Sequence, residues 1–342
     1  MSSKKYERYC DNCYRFYKGY GIRYCSKKCK HVHSRLLNSL SESCTEFSSG
    51  MVPGSYRTKT PKPEPILANF PAPIQIIIKK KKQSLTKPMA IASVHFSDIH
   101  FPFHDEGALN ILYQILEEVN PSVVVDHGDT LDCHSISKYE KDPQDRIDYQ
   151  IEMEMAAEHH GRVHQLTPEA RHIWLLGNHE DRLRKLIWKL AESRETEALL
   201  KLPGVMAALK WERLTGVEAL GWEIVPYPDH ILLWDRLLLC HGSTVRKWSS
   251  YSAKAEHDRY GKSGMSGHTH RRGVFEHRDY NGFHAWWELG MLGTIHGRYA
   301  AYPDWQQGFC VVTWDKDHKT FGVEEVRIHE AQTIFRGKKY KG

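Results

Sequence analysis

Four short apolar runs in residues 91–342 each end in a cluster of Asp, His or Asn residues. They read IASVHFSDIH at 91–100, SVVVDHGD at 122–129, HIWLLGNHE at 172–180 and LLLCHGS at 237–243. Apolar runs of this length that stop at polar residues are typical of buried strands. Between the first two runs, Leu109, Leu112 and Leu116 fall on one face of a helix, which predicts a β-α-β opening.

The rest of the chain adds further β-structure and one helical insertion. The segments GFHAWWELGM and GFCVVTWDKDHKTFGVEEVRI predict strands, the second of them a hairpin, and residues 181–220 read as helices between two of the strand-end loops. The fold class predicted for residues 91–330 is therefore α/β with mixed sheets. Open α/β sheets place their ligand sites just past the strand ends, which is where the polar clusters fall.

The polar clusters belong to an ordered series of five short motifs. They are Asp98-x-His100, Gly-Asp129-x-x-Asp132, Gly-Asn178-His179-Glu180, His241-Gly and Gly-His268-x-His270. One such motif alone is as often a turn or a helix cap as a pair of ligands, and Glu180 is typical of a helix N-terminal acid. Carboxylate, amide and imidazole groups together favour ions such as Mn, Fe, Zn or Co over Ca or Mg.

In order and in spacing, the five motifs resemble those of the calcineurin-like metallophosphoesterase superfamily over residues 91–300. The resemblance implies an αββα sandwich that holds two divalent transition metals (Mn, Fe or Zn). Carried over motif by motif, it assigns one metal to Asp98, His100 and His270, the other to Asn178, His241 and His268, and the bridge to Asp129. It also implies attack by a metal hydroxide, with His179 as general acid and Asp132 as the residue that orients it.

The substrate contacts are less constrained than the ligands. In the protein Ser/Thr phosphatases of the superfamily an arginine follows the second aspartate of the second motif, whereas Cys133 follows Asp132 here. Arg182 and Arg271 stand next to ligand motifs and are the candidates for the missing phosphate contact. An exposed arginine near a loop is as often only solvated.

The first forty residues contain a second candidate metal site. Cys10 and Cys13 form a close pair, and after eleven residues Cys25 and Cys29 form another. Two tight pairs of thiolates can close tetrahedrally on one structural zinc, and so short a segment needs such a staple to fold. The alternatives are reduced thiols, a disulfide pair, or a nearby histidine in place of one cysteine. The other four cysteines are scattered and are predicted to be small buried hydrophobes.

Charge is divided unevenly along the chain. Residues 1–90 carry 18 Lys and Arg against 5 Asp and Glu, a net +13, which leaves −7 for residues 91–342. Seven prolines and a run of lysines in residues 51–90 indicate that residues 41–90 are a linker. A basic segment with aromatic residues around its cysteines predicts a surface that binds nucleic acid, DNA in preference to RNA. The alternative interpretation is a solvated tail that keeps the protein soluble.

These observations lead to one functional hypothesis and one alternative. The hypothesis is a metal-dependent phosphodiesterase, a nuclease, that a zinc finger at residues 1–40 delivers to nucleic acid. The alternative is a phosphatase or phosphodiesterase of a nucleotide or other small phosphoester. The sequence shows no signal peptide and no apolar run near the ~18 residues of a membrane span, so we expect a cytoplasmic protein that does not enter membranes; its oligomeric state stays open.

Overall fold

The structure is a computed structural model that describes residues 6–9, 16–19, 91–139, 147–295 and 303–342. The chain divides into two units, Met1–Lys79 and Lys80–Gly342. In the first unit, β1 (Tyr6–Tyr9) pairs antiparallel with β2 (Phe16–Gly19). The four cysteines predicted to hold zinc, and the predicted linker, lie outside the described residues.

The second unit is built on a six-stranded mixed sheet. Its strands, in chain order, are β3 (Ile91–Phe96), β4 (Val123–Asp126), β5 (Arg171–Leu175), β6 (Glu223–Val225), β12 (Gly308–Asp315) and β13 (Thr320–Arg327). The spatial order is β13-β12-β3-β4-β5-β6. The four strands from β3 to β6 run parallel, and β12 joins them antiparallel and forms the predicted hairpin with β13.

A five-stranded mixed sheet lies against the first. It consists of β7 (Ile231–Leu233), β8 (Leu237–Leu239), β9 (Gly264–Ser266), β10 (Arg272–Asp279) and β11 (Gly282–Leu289), in the spatial order β10-β11-β9-β8-β7. The strands β8, β9 and β11 run parallel, while β7 and β10 pair antiparallel at the two edges. The predicted α/β class with mixed sheets is therefore confirmed.

Alternating side chains of the first sheet supply two different cores. Val123 and Val125 of β4 pack with Leu239 and Met265 of the second sheet, whereas Val124 points to the opposite face. That opposite face is covered by α1 (Glu106–Val119) and α2 (Tyr149–Leu166). Alternation of this kind is what a strand buried on both faces requires.

Shorter elements complete the unit. The helices α3 (Asp181–Leu190), α4 (Arg194–Leu200), α5 (Val205–Ala208) and α6 (Trp211–Leu214), with the 3-10 turn Val217–Leu220, fill the space between β5 and β6. They confirm the predicted helical insertion at 181–220. The helix α7 (Tyr251–Tyr260) packs on the outer face of the second sheet, and the hairpin of β14 (Gln332–Phe335) and β15 (Lys338–Lys341) packs on α1. No helix in the described ranges has the length and apolar character to cross a membrane.

Candidate metal centre

Five of the predicted metal ligands have left-handed backbone conformations. The φ angles are 56° at Asp98, 56° at His100, 51° at Asp129, 69° at His268 and 56° at His270. For residues with a side chain this region costs about 1–3 kcal/mol each unless the surroundings enforce it, and such residues cluster at functional sites. The loops after β3, β4 and β9 therefore bend sharply at the residues that carry the candidate ligands.

Hydrogen bonds between the loops hold these bends in place. The backbone N–H of Asp98 donates to the carbonyl oxygen of Gly128, and that of His100 donates to the carbonyl oxygen of Asp129, each at 2.9 Å. From the third loop, the N–H of His268 donates to Oδ2 of Asp98, also at 2.9 Å. Three loops that are distant in sequence thus converge at the carboxyl ends of parallel strands.

The first group of converging side chains consists of Asp98, His100, Asp129 and His270, each with a ligand atom within 4.8 Å of the others. The Nε2 atoms of His100 and His270 lie 2.9 Å apart. Two nitrogens bound at a right angle to one ion, each about 2.1 Å from it, have about this separation. Oδ1 of Asp98 is buried without a hydrogen-bond partner, as expected of an atom reserved for a cation.

The second group consists of Asp129, His241 and His268, whose ligand atoms also lie within 4.8 Å of one another. Nε2 of His241 is 3.3 Å from Oδ2 of Asp129 and 3.1 Å from Oδ1 of Asn178. Asp129 belongs to both groups, and the predicted bridging position is therefore the place where the two groups meet.

The other ring nitrogens of two histidines are held by buried acceptors. Nδ1 of His241 lies 2.7 Å from the carbonyl oxygen of His127, and Nδ1 of His100 lies 3.2 Å from Oδ1 of Asp132. Histidines that bind metals usually donate their second N–H in this way, which turns Nε2 toward the ion. The candidate ligand atoms, and the hydrogen bonds that orient the histidines among them, therefore fit two divalent transition ions.

The charge states of the cluster suit a cation. Burial raises the pKa of Asp129, but the imidazoles of His179 and His241 more than offset this and hold that pKa well below its ordinary value. Burial and the nearby His241 lower the pKa of His268 to about 4, so its imidazole is neutral. Burial lowers the pKa of His241, yet the charge and hydrogen bond of Asp129 and the charge of Asp98 together outweigh burial and raise it to about 9, so a metal here would displace a proton.

The predicted acid His179 lies at the edge of this cluster, beside Asp132. Its Nδ1 is 2.8 Å from the backbone carbonyl oxygen of Asp132 and 3.3 Å from the carboxylate Oδ1, which is also shared with His100. Its Nε2 is 3.8 Å from Oδ2 of Asp129 and 2.9 Å from a guanidinium nitrogen of Arg182. The structure thus places Arg182, predicted as a phosphate contact, against Nε2 of His179.

Arg271 has a different environment from the one predicted. Its side chain is 8% exposed, and its two terminal nitrogens donate to the backbone carbonyl oxygens of Lys247 and Arg246, each at 2.6 Å. In this arrangement the guanidinium holds the loop that contains Arg246 and Lys247. A direct contact of Arg271 with substrate stays a prediction.

Glu180 is the residue whose position the sequence does not reveal. It stands at the start of α3, as a helix N-terminal acid would, but its side chain does not cap that helix. The buried carboxylate instead accepts hydrogen bonds from the N–H groups of Gly177 at 2.7 Å and of Asp129 and Leu131 at 3.0 Å. Glu180 therefore joins the second motif to the third, and no feature of spacing distinguishes that role from a cap.

A cleft of about 280 Å³ opens beside the two ligand groups. His268 and His270 line it on one side, with Val245, Asp304 and Trp305 around them. The indole of Trp305 meets the imidazole of His270 edge to face, with ring centroids 4.8 Å apart. A substrate in this cleft would contact the candidate metal centre and an aromatic wall together.

Comparisons with known proteins identify the family of the chain. The family model for calcineurin-like phosphoesterases matches residues 92–289. The Gene 54 protein of Mycobacterium phage D29 is 24% identical over an alignment of 242 residues that covers 66% of this chain and 89% of that protein. The Gene 54 protein of phage L5 is 23% identical over an alignment of 241 residues, with the same coverage of each chain. Among solved structures, Vacuolar Protein Sorting 29 from Cryptosporidium parvum is 13% identical with a TM-score of 0.40 and covers 74% of this chain and 99% of its own. Yfce, a phosphoesterase from E. coli, is 15% identical with a TM-score of 0.31 and covers 70% and 100%. Because the family model spans more than half of the 342 residues, the chain belongs to the calcineurin-like phosphoesterase family.

Proposed function

We propose that the chain is a two-metal phosphodiesterase that cleaves nucleic acid. The observation that carries this proposal is that two groups of candidate ligands share one carboxylate, Asp129. The first ion would be held by Asp98, His100 and His270, and the second by Asn178, His241 and His268. Held by these residues, the two ions would supply an activated water and stabilise the attacking and leaving oxygens of an in-line displacement.

His179 is the proposed general acid for the leaving oxygen. Its Nδ1 is anchored on Asp132, which leaves Nε2 to face the reacting phosphoester. A guanidinium nitrogen of Arg182 lies 2.9 Å from that Nε2. A phosphate oxyanion is a stronger acceptor than an imidazole nitrogen, so bound substrate would draw the guanidinium away and leave Nε2 free to take a proton from solvent and give it to the leaving oxygen. Arg182 would thereby bind the substrate and control the acid.

The leader is the proposed delivery element. Residues 1–90 have a net charge of +13 and residues 91–342 a net charge of −7, so the body by itself repels a polyanion. A zinc finger on Cys10, Cys13, Cys25 and Cys29, tethered by a basic linker, would raise the local concentration of DNA at the cleft. The acidic body also favours the second candidate function, hydrolysis of a nucleotide or other small phosphoester.

A panel of substrates tests the proposal. The full-length protein with Mn²⁺ is expected to hydrolyse bis-p-nitrophenyl phosphate faster than p-nitrophenyl phosphate, because a diesterase does not need to bind a dianionic phosphate. Labelled single-stranded and double-stranded DNA and RNA are then compared, with cleavage of DNA the expected result. Efficient hydrolysis of mononucleotide esters without cleavage of any polynucleotide would support the small-phosphoester alternative instead.

A further inference from the structure

The 243–250 loop connects the ligand His241 to the helix α7 and is held by buried polar side chains. Oε1 of Glu256 accepts hydrogen bonds from the N–H groups of Ser243 and Thr244, both at 3.1 Å. Oγ of Ser252 accepts from the N–H of Arg246 at 2.9 Å. Glu256 and Ser252 are each only 1% exposed. Burying such groups costs free energy, so the shape of the loop is strongly specified.

The same loop is tied to the metal centre from its other side. Arg271, which follows the ligand His270 directly, donates to the carbonyl oxygens of Arg246 and Lys247. Val245 of the loop lines the cleft together with His268 and His270. The loop is therefore part of the wall of the candidate active site.

What this rigid loop presents outward is apolar and cationic. The exposed fraction is 56% for Val245 and 55% for Trp248, and Arg246 and Lys247 are exposed as well. Nζ of Lys247 lies 4.8 Å from the centroid of the Trp248 ring. Among the described residues, no carboxylate lies within ion-pair distance of Arg246 or Lys247. A tryptophan exposed to solvent on a well-anchored loop, next to two cations that have no ion-pair partner among the described residues, is the kind of surface that binds a partner.

We propose that the 243–250 loop is a platform for single-stranded nucleic acid, on which the nucleotide next to the scissile phosphate stacks. Trp248 would stack on an unpaired base, and Arg246 and Lys247 would contact phosphates. Aromatic residues beside cations suit single strands because every base has a face to stack, whereas bases in a duplex already stack on each other. This inference rests on the proposed function, and it adds that the enzyme acts on strands with unpaired bases.

The first test measures how catalysis depends on substrate length. Two series of p-nitrophenyl thymidylates of one to three nucleotides, with the ester at the 5′ or the 3′ end, all release the same nitrophenolate. With the full-length protein and Mn²⁺, kcat/KM should rise about tenfold with one added nucleotide in one of the series, the gain expected from one base stacked on an aromatic side chain. Trp248→Ala should abolish that rise, and Trp248→Phe should restore most of it. Tyr280→Ala, which removes an exposed aromatic from the turn between β10 and β11, should leave the rise intact.

The second test needs no turnover. Binding of a fluorescent phosphorothioate oligothymidylate, which keeps the backbone charges but resists cleavage, to the full-length metal-loaded protein is followed by anisotropy at several salt concentrations. Arg246→Ala and Lys247→Ala should each reduce the slope of log K against log[salt] by about 0.7, the value for one phosphate contact on a single strand.

The outcomes separate this proposal from the proposed function. The platform is overturned if kcat/KM of the wild-type protein does not rise with the number of nucleotides in the substrate, or if that rise survives Trp248→Ala. This holds even if diesters are hydrolysed. If no phosphoester is hydrolysed at all, the proposed function has failed, and the salt slopes alone decide on the platform. Unchanged slopes in both variants would then show that Arg246 and Lys247 make no phosphate contacts, which overturns the platform.

Discussion

Replacing Gly177 by alanine should remove the bridge between the two candidate metal positions. A Cβ at Gly177 would lie 2.5 Å from the backbone nitrogen and 2.8 Å from Cγ of Asp129, and closer still to Oδ1. Ordinary contact begins at 3.4 Å. The carboxylate must therefore move by about 0.6 Å or more, whereas metal–ligand distances tolerate about 0.2 Å.

The expected effects of Gly177→Ala are large and specific. Metal affinity should fall at least 10- to 100-fold, and turnover of bis-p-nitrophenyl phosphate at least about 10²-fold. Overpacking should also lower the free energy of unfolding by about 1–3 kcal/mol. Titration of the metal-free protein with Mn²⁺, steady-state kinetics and urea unfolding measure the three quantities.

A second glycine provides the matched control. A Cβ at Gly161, in α2, has no atom within 4 Å. Gly161→Ala should keep wild-type metal binding and turnover and raise the free energy of unfolding by about 0.5–1 kcal/mol, as expected in a helix interior. If Gly177→Ala bound two equivalents of Mn²⁺ as tightly as Gly161→Ala, the placement of Asp129 between the two ions would be refuted.

Three further predictions concern the acid, the pH dependence and the leader. His179→Asn should keep both metals and lose about 10²–10⁴ in rate, with a smaller loss for esters with good leaving groups; an equal loss for all esters would show that His179 is not the acid. Burial and the charge of Asp132 raise the pKa of Glu152 to about 8 from 4.5, so its contribution to stability is complete below pH 4.5 and is lost as the pH rises through about 8. In urea unfolding with EDTA, Glu152→Gln should therefore flatten the decline in the free energy of unfolding between about pH 4.5 and pH 8, and an unchanged decline would contradict this assignment. Deletion of residues 1–90, or Cys25→Ser in the full chain, should weaken DNA binding and its salt dependence while hydrolysis of a small diester stays near wild type; undiminished binding would contradict the delivery role.

The strands and the convergence of the motifs could be predicted because both depend on local pattern. Apolar runs that end at Asp98, Asp129 and Asn178 predict strand ends, and parallel strand ends meet at one edge of a sheet. The helical insertion could be predicted for the same reason. The roles of the assigned ligands and of His179 stay predictions, although the structure brings these residues together.

The hydrogen bonds that hold the candidate ligands and their loops in place could not be predicted, because they join residues that are distant in sequence. Glu180 has the sequence position of a helix cap, and only the folded chain shows its carboxylate on the N–H groups of Asp129 and Leu131. The sequence predicts that Asp132 orients His179, yet its carboxylate also lies within hydrogen-bond distance of Nδ1 of His100. Arg271 turns inward to carbonyl oxygens of a loop more than twenty residues earlier, and motif spacing contains no signal for that direction.

The electron paramagnetic resonance spectrum of the Mn²⁺-loaded protein tests the shared carboxylate most directly. Two Mn²⁺ ions bridged through Asp129 are expected to be exchange-coupled, which gives a multiline spectrum at two equivalents of metal. Asp129→Asn should lose that spectrum together with turnover, and His241→Ala should do the same because a ligand of one ion is removed. A wild-type protein that binds no Mn²⁺, or that binds two equivalents and shows only the six-line signal of isolated ions, would contradict the two-metal centre.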